Sequence, residues 1–387
     1  MLAAQTRHRR YARGRMLPAL ALALLPAVAC DSGSSSATPA VPADTLLIGI
    51  AASRTAVNEA YFVGARLAIA ELNRRRPSGA PAFALAMPPE TQPTQVAVAA
   101  GFRDDARVVG VVGHTGSAQT MEAAPIYGDA EQGGRRAVVA VSPTATNPAV
   151  TRGSEWVFRV CPTDLDAAAA LAAFAAESLD SRQVAIIYRN DLFGRGFSRR
   201  LTSDLERHGR RVSERDPYLA GYTEYVAYAQ RIARSGADVL VVAGGSGDAG
   251  DMIRAVRAAG GRPRILGTDD VAGLAADTAS AREFRGVRYT AFFLAERATS
   301  AEARRFVDAY RARTGLAPDH RAALTYDATM LIGTAARSVG PDRRAIRDWI
   351  AGVGRERPAF EGVTGAVRFD EEGDAVGKTV LVGEVGA

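Results

Sequence analysis

The chain is short of the residues that most active-site chemistry relies on. Its 387 residues hold two cysteines, Cys30 and Cys161, and four histidines, His8, His114, His208 and His320. Neither set has metal-ligand spacing, which excludes a zinc motif and a disulfide framework; no metal and no cofactor is expected. Lysine is almost missing, with Lys378 alone against an arginine at every other basic position. GxSxG, HExxH and P-loop signatures are absent, and neither cysteine has an activating setting. The chain therefore reads as a non-enzyme without an energy source of its own. The apolar run Met16–Ala29 spans fourteen residues, short for a bilayer crossing.

The basic excess is also shallower than it looks. Five arginines (Arg7, Arg9, Arg10, Arg13, Arg15) precede residue 30, where no Asp or Glu occurs. Taking those five from the 48 basic residues leaves 43 against 42 acidic ones. A nucleic-acid binder needs a basic stripe, and none remains. With 47% hydrophobic residues, the rest can bury a sizeable core across two domains.

What is present begins with an address. A positive n-region, the apolar run and the small residues Ala27-Val28-Ala29 lead straight into Cys30. This arrangement resembles a bacterial lipobox, which makes Cys30 the expected lipidation site and residues 1–29 a lipoprotein signal peptide. A lipid chain holds to a membrane by roughly 0.8 kcal/mol per buried methylene. Residues 30–44, rich in Ser with Gly, Ala and Pro, read as a flexible tether for something so anchored. The product is expected outside the cytoplasm, membrane-anchored and facing the periplasm or cell exterior. Cys161, left without a partner, reads as a buried free thiol.

From Leu46 onward, apolar strand candidates alternate with amphipathic helices. The strands are Leu46–Ala51, Ala82–Met87, Val108–Val112, Ala137–Ser142, Val184–Tyr188, Val239–Ala243, Arg264–Gly267 and Val287–Phe292. Several are apolar on both faces, as in parallel sheets covered by helices. Helices are expected over 59–73, 164–179, 223–234, 298–314 and 321–338, the second opened by a capping box of Thr163 and Asp166. Repeated βαβ units argue for an α/β fold, and eight strands are too many for one compact sheet. The expectation is two doubly wound parallel-sheet lobes joined by a three-crossing hinge. The N-terminal lobe takes residues 46–160 and 293–360, and the C-terminal lobe 161–292 and 361–387. A late hairpin, Ala366–Phe369 with Lys378–Val385 around the turn 370–374, is expected to return to the second lobe.

Strands Val108–Val112 and Ala137–Ser142 each end in hydroxyl-bearing turns, Gly113 through Ser117 and Pro143 through Thr146. Open α/β sheets bind ligands at such carboxyl ends, and a helix N-terminus there suits an anion. Ser117 and Thr146 can cap helices with the same geometry.

Read in order, several runs resemble the periplasmic leucine/isoleucine/valine-type binding proteins of branched-chain amino acid and amide ABC transporters, with a type I periplasmic-binding fold. They are Val111–Ser117, Ser142-Pro143-Thr144-Ala145-Thr146-Asn147-Pro148, Phe158-Arg159 with Pro162 and Asp164, and Tyr188 with Phe193–Gly196. Ser235–Val242, Leu324–Ala328 and Gly362–Gly365 before Phe369-Asp370 follow. The resemblance covers nearly all of 46–385 and implies a receptor whose lobes close on a small amino acid or amide. By it, Ser117, Ala145 and Thr146, within the Thr144–Thr146 turn, hold the ligand's carboxylate, and an acid after Gly267 pairs with its ammonium. That acid is Asp269, or Asp270 after a one-residue slip. Phe193 stands where relatives commonly carry a tyrosine over the ligand. The implied partners are a small-molecule ligand and a membrane permease, without nucleic acid, and the chain is expected to be a monomer. A ligand-sensing receptor of the same fold without a transport role is the alternative.

The chain also departs from this family. The glycine-rich loop after the first strand is replaced by Ala52–Glu59, where Arg54 either faces an acidic ligand or is solvated. Pro88-Pro89-Glu90-Thr91 replaces an acidic pair, the paired cysteines are missing, and Ser246 falls near a frequent tyrosine. The identity of the ligand, and whether the chain serves transport or sensing, stay open at this level.

Overall fold

The computed structural model describes residues 42, 44–55, 58–88, 94–221, 224–275 and 278–386. The expected signal peptide, Cys30 and most of the tether lie outside the described residues. Residues Pro42–Ala387 form one compact unit.

Two sheets carry the fold. The first contains β1 (Leu46–Ala51), β2 (Phe83–Ala86), β3 (Val108–Gly113), β4 (Ala140–Ser142) and β5 (Val157–Arg159), all parallel, in the order β2-β1-β3-β4-β5. The second contains β6 (Gln183–Arg189), β7 (Arg211–Tyr218), β8 (Val239–Ala243), β9 (Arg264–Gly267) and β10 (Arg288–Ala291). Beyond a small hairpin of β11 (Phe360–Gly362) and β12 (Gly365–Val367), β13 (Leu381–Glu384) completes the second sheet. The order there is β13-β10-β9-β8-β6-β7, parallel except for β13 against β10. In each sheet the first strand lies between the second and third, so the winding reverses beside it. Crevices at such reversals are where doubly wound sheets bind ligands.

Twelve α-helices lie among the described residues: α1 (Glu59–Arg74), α2 (Gln95–Asp104), α3 (Ser117–Tyr127), α4 (Ala149–Arg152), α5 (Asp164–Ala173), α6 (Leu192–Arg207), α7 (Val226–Ser235), α8 (Ser246–Ala258), α9 (Thr278–Glu283), α10 (Ala301–Thr314), α11 (His320–Val339) and α12 (Arg343–Ala351). Strands β3 (VVGVVG) and β8 (VLVVA) are buried along their whole length because helices cover both faces. On the first sheet, Phe102 and Tyr127 of α2 and α3 pack on Leu47 and Val111. Leu331 and Ile346 of α11 and α12 share the opposite core with Ile48 and Val109. On the second sheet, Ile232 and Ile253 of α7 and α8 join Ile187 and Val242. Leu171 and Leu201 of α5 and α6 join Ile186 and Val241 on the other face.

The chain passes between sheets after β5, after β10 and before β13, the three crossings expected. The capping box that opens α5 also forms. Thr163 Oγ1 accepts from Asp166 N at 3.2 Å, and Asp166 Oδ2 accepts from Thr163 N at 2.9 Å.

The late hairpin needs correction. Gly365–Val367 pairs with Phe360–Gly362 and Leu381–Glu384 pairs with β10, so the two expected strands do not pair with each other. The turn 370–374 does form, closed by a single bridge between Phe369 and Ala375. What holds it is the first sheet: Arg159 N donates to Gly373 O, Phe369 packs edge-on against Phe158, and Asp374 pairs with Arg159.

Candidate functional site

The carboxyl ends of β3 and β4 are tied into one surface by side chains. Ser142 Oγ donates to His114 O at 2.6 Å and accepts from Ala145 N at 3.1 Å. Thr144 Oγ1 donates to Thr115 O at 2.7 Å, and Asn147 N donates to Ser117 Oγ at 3.2 Å. Ser117 opens α3 behind Gly116, an N-cap without a side-chain hydrogen bond. The helix's first ladder bond is Thr120 N to Gly116 O. The N–H groups of Ser117, Ala118 and Gln119 therefore precede the ladder and form the positive end of the helix.

Of the expected carboxylate holders, Ser117, Thr144 and Thr146 sit together on this surface. Ala145 is fully buried, and both its backbone groups are engaged inside the lobe. Its N–H goes to Ser142 and its carbonyl accepts from Arg159 Nη1 at 3.1 Å. Arg159, also fully buried, donates to Asn147 O at 2.6 Å and pairs with Asp374 at 2.5 Å. This arginine is the internal strut of the β4 turn. Cys161 lies behind the same turn as a buried free thiol, pushed up to about 12 by burial.

Tyr61 of α1 was not anticipated. Its hydroxyl lies 3.0 Å from Thr144 Oγ1. Because Thr144 gives its one proton to Thr115, Tyr61 is the donor of that pair. Burial holds the phenol well above its usual range, so it stays protonated. The helix that carries it packs closely on α11 at Gly64, where a Cβ would come within 2.3 Å of Ala322 O.

The second lobe contributes acids. Asp269 opens a 3-10 turn after β9, its side chain 16% exposed, while Asp270 faces solvent. Burial, followed by the charges of Asp270 and Asp164, pushes Asp269 well above the ordinary carboxylate range. Asp164, the first residue of α5, is buried, and its Oδ2 has no hydrogen-bond partner. Burial pushes it up to about 6, offset in part by the Thr146 hydroxyl and Arg159. Its backbone N–H donates to Thr146 O at 2.9 Å, which joins this acid to the first lobe's turn. From the first lobe, His320 opens α11 behind its cap Asp319 and puts Nε2 3.6 Å from Asp269 Oδ2. Sequence reasoning missed Asp164 and His320 because both look like ordinary helix starts. Only the fold brings them to the acid.

Phe193 lies in the first turn of α6, half-buried, with its ring 5.7 Å from Phe197. Asp191 caps that helix through Gly194 N at 2.8 Å and pairs with Arg189 at the end of β6. Gly194 is required there, since a Cβ would lie 2.0 Å from Arg189 O. The charges of Asp191 and Asp270 both act on Arg189. Among the described residues, no three His, Cys, Asp or Glu side chains are grouped to hold a metal ion.

The arrangement has two chemical poles: hydroxyls and the start of α3 on the first sheet's side, and two carboxyls with raised pKa on the second's.

Known proteins share this architecture. An amino acid binding protein of Pseudomonas aeruginosa is 27% identical over 339 residues, 85% of this chain and 87% of that protein. A Leu/Ile/Val/Thr-binding protein of Salmonella typhimurium is 26% identical over 231 residues, 59% of this chain and 62% of its own length. Among solved structures, a leucine binding protein of Thermotoga maritima superposes with a TM-score of 0.75 at 25% identity, covering 88% of this chain and 95% of that one. A solute binding protein of R. palustris in complex with 4-hydroxybenzoate shares the fold at 19% identity, with a TM-score of 0.74 over 88% and 92% of the two chains. The family model described as periplasmic binding protein matches residues 48–387. That match takes in nearly all of both sheets and the crossings between them, and the chain belongs to the periplasmic binding protein family.

Proposed function

We propose that this chain is the extracytoplasmic solute-binding component of an ABC importer, capturing a small amino acid or amide between its lobes. The observation that carries this reading is the pair of acids Asp164 and Asp269. Two carboxyls withdrawn from water beside each other are costly to ionise, and a ligand ammonium relieves that cost. A carboxylic acid lacking an amine, such as a benzoate, would find one pole satisfied and the other opposed. The ligand's carboxylate would meet Ser117, the start of α3 and the Thr144–Thr146 turn, with Tyr61 behind. Ala145 would shape this wall through packing, and Phe193 would supply an apolar edge for the side chain. On this reading Asp269 meets the ammonium and Asp270 stays solvated. Lobe closure would create the surface a permease recognises. Lipidated Cys30 would keep the monomer at the membrane, on residues 30–44 as a leash.

The test is a thermal-shift screen of the twenty L-amino acids, their amides and short organic acids. A true ligand at about 100 times its Kd adds roughly 2.7 kcal/mol of stability. In Asp269→Ala the shift should disappear, because losing one partner of a desolvated ion pair costs about 2–5 kcal/mol of binding. A preference for acids without an amine, undiminished in that variant, would overturn the reading.

A further inference from the structure

Asp269 has a neighbour that the capture of an ammonium does not require. His320 is 4% exposed, its ring lies edge-on to Phe292 at the second crossing with centroids 5.5 Å apart, and it directs Nε2 to Asp269 Oδ2 at 3.6 Å. It belongs to α11 of the first lobe, and Asp269 belongs to the second, so the contact links the two lobes. Resting on the proposed function above, we infer that His320 is an internal competitor for the ligand's ammonium, its imidazolium taking Asp269 whenever the ring gains a proton.

The argument is one of position and charge. An imidazolium 3.6 Å from a carboxylate in a shielded crevice fills the electrostatic role of an ammonium. Both cations cannot sit against one acid without repelling each other. The charged groups facing His320 are Asp319 and Arg321 on its own helix and Asp270 and Asp269 on the 3-10 turn. The neighbouring α1 supplies Tyr61, and α5 supplies Asp164, which acts on Asp269. From the crossing, the Phe292 ring packs on His320. Burial lowers the pKa of His320, so the ring is neutral near pH 7 and the competitor forms only in acid, where the imidazolium itself must hold the Asp269 carboxyl in its charged form against the burial that raises its pKa. Linkage is reciprocal: if the imidazolium weakens the ligand, the ligand must make His320 harder to protonate.

The experiment has two arms, both on the full mature chain. In the first, NMR follows the imidazole titration of His320 without ligand, in wild type and in Asp269→Asn. Loss of the acid should move the His320 titration to lower pH, and an unchanged titration overturns the pairing. In the second, calorimetry measures affinity between pH 4.5 and 7.5 for the L-amino acid that gives the largest thermal shift, in wild type and His320→Gln. Wild-type affinity should fall about tenfold per pH unit below the His320 titration. In His320→Gln the fall should be shallower by up to about tenfold per pH unit, with protonation of Asp164 and Asp269 accounting for what remains. Identical profiles overturn the competition. If no amino acid binds the wild type, the functional reading fails, and with it the ligand half of this inference. The first arm then still decides whether His320 and Asp269 act as a pair.

Discussion

Asp164 shows how a residue proposed to bind the ligand can oppose the fold that carries it. Its side chain is buried with one oxygen unpartnered, and its pKa is pushed up to about 6 by that burial. A carboxyl whose folded pKa exceeds its unfolded value of about 4 takes up extra protons in the fold between those limits. Its contribution to stability is therefore complete below pH 4 and lost as pH rises through 6. At neutral pH the ligand-free protein carries that loss, on the order of 3 kcal/mol. Asp164→Asn should accordingly raise the urea midpoint of the ligand-free chain at pH 7.5, with little gain at pH 4.5, and weaken amino-acid binding. A gain of equal size at both pH values would mean that ionisation is not its source. The site's residues were unevenly legible in the sequence. Ser117, the Thr144–Thr146 turn and Asp269 follow strand ends that announce themselves. Tyr61 sits inside an amphipathic helix where an aromatic reads as core, and His320 follows a cap residue like any first-turn side chain.

Arg159 does for a whole element what no single hydrogen bond could. Its buried guanidinium holds the carbonyls of Ala145 and Asn147, and its pairing with Asp374 pins the turn 370–374 to the β4–β5 edge. Thr151 Oγ1 donates to the same Asp374 oxygen at 2.5 Å. Arg159→Met should cost about 3–5 kcal/mol in urea denaturation, since Asp374 is then buried without its cation. Adding Asp374→Asn should recover part of that loss, because the uncompensated charge goes with it. The same elements mark where strand reading ends. Strands β3 and β8 are visible as apolar runs because both faces are covered. Strand β7 (RVSERDPY) is not, because it lies on a sheet edge where charged residues and Pro217 are tolerated and guard against stray pairing. Strand β5 is three residues long, too short for a period to show. The late hairpin was misjudged for a different reason: its turn is held by Arg159 and Phe158, over two hundred residues away, and only the fold reveals such partners.

At the scale of the molecule, the two poles belong to different lobes, and on the proposed function that separation would give closure its driving force. Ser117, Thr144, Thr146 and Tyr61 stand on the first sheet's side, with Asp164 and Asp269 on the second's. A ligand shifts a conformational equilibrium only by binding one state better than the other. On the proposed function, a zwitterion would grip both lobes at once and favour the closed state with each end. A primary amine without a carboxylate can satisfy only the second lobe, and a carboxylate without an amine only the first. Either should bind without pulling the halves together, because the separated lobes already offer it all it can use. Small-angle scattering should therefore show a smaller radius of gyration with the amino acid found by thermal shift. Its decarboxylated and deaminated analogues should leave the radius at the ligand-free value even at saturation. Contraction with the amine alone would place the closing force in the acids by themselves, with mutual repulsion between Asp164 and Asp269 as the strain that any cation relieves. The hydroxyl surface around Ser117 would then govern selectivity and not motion.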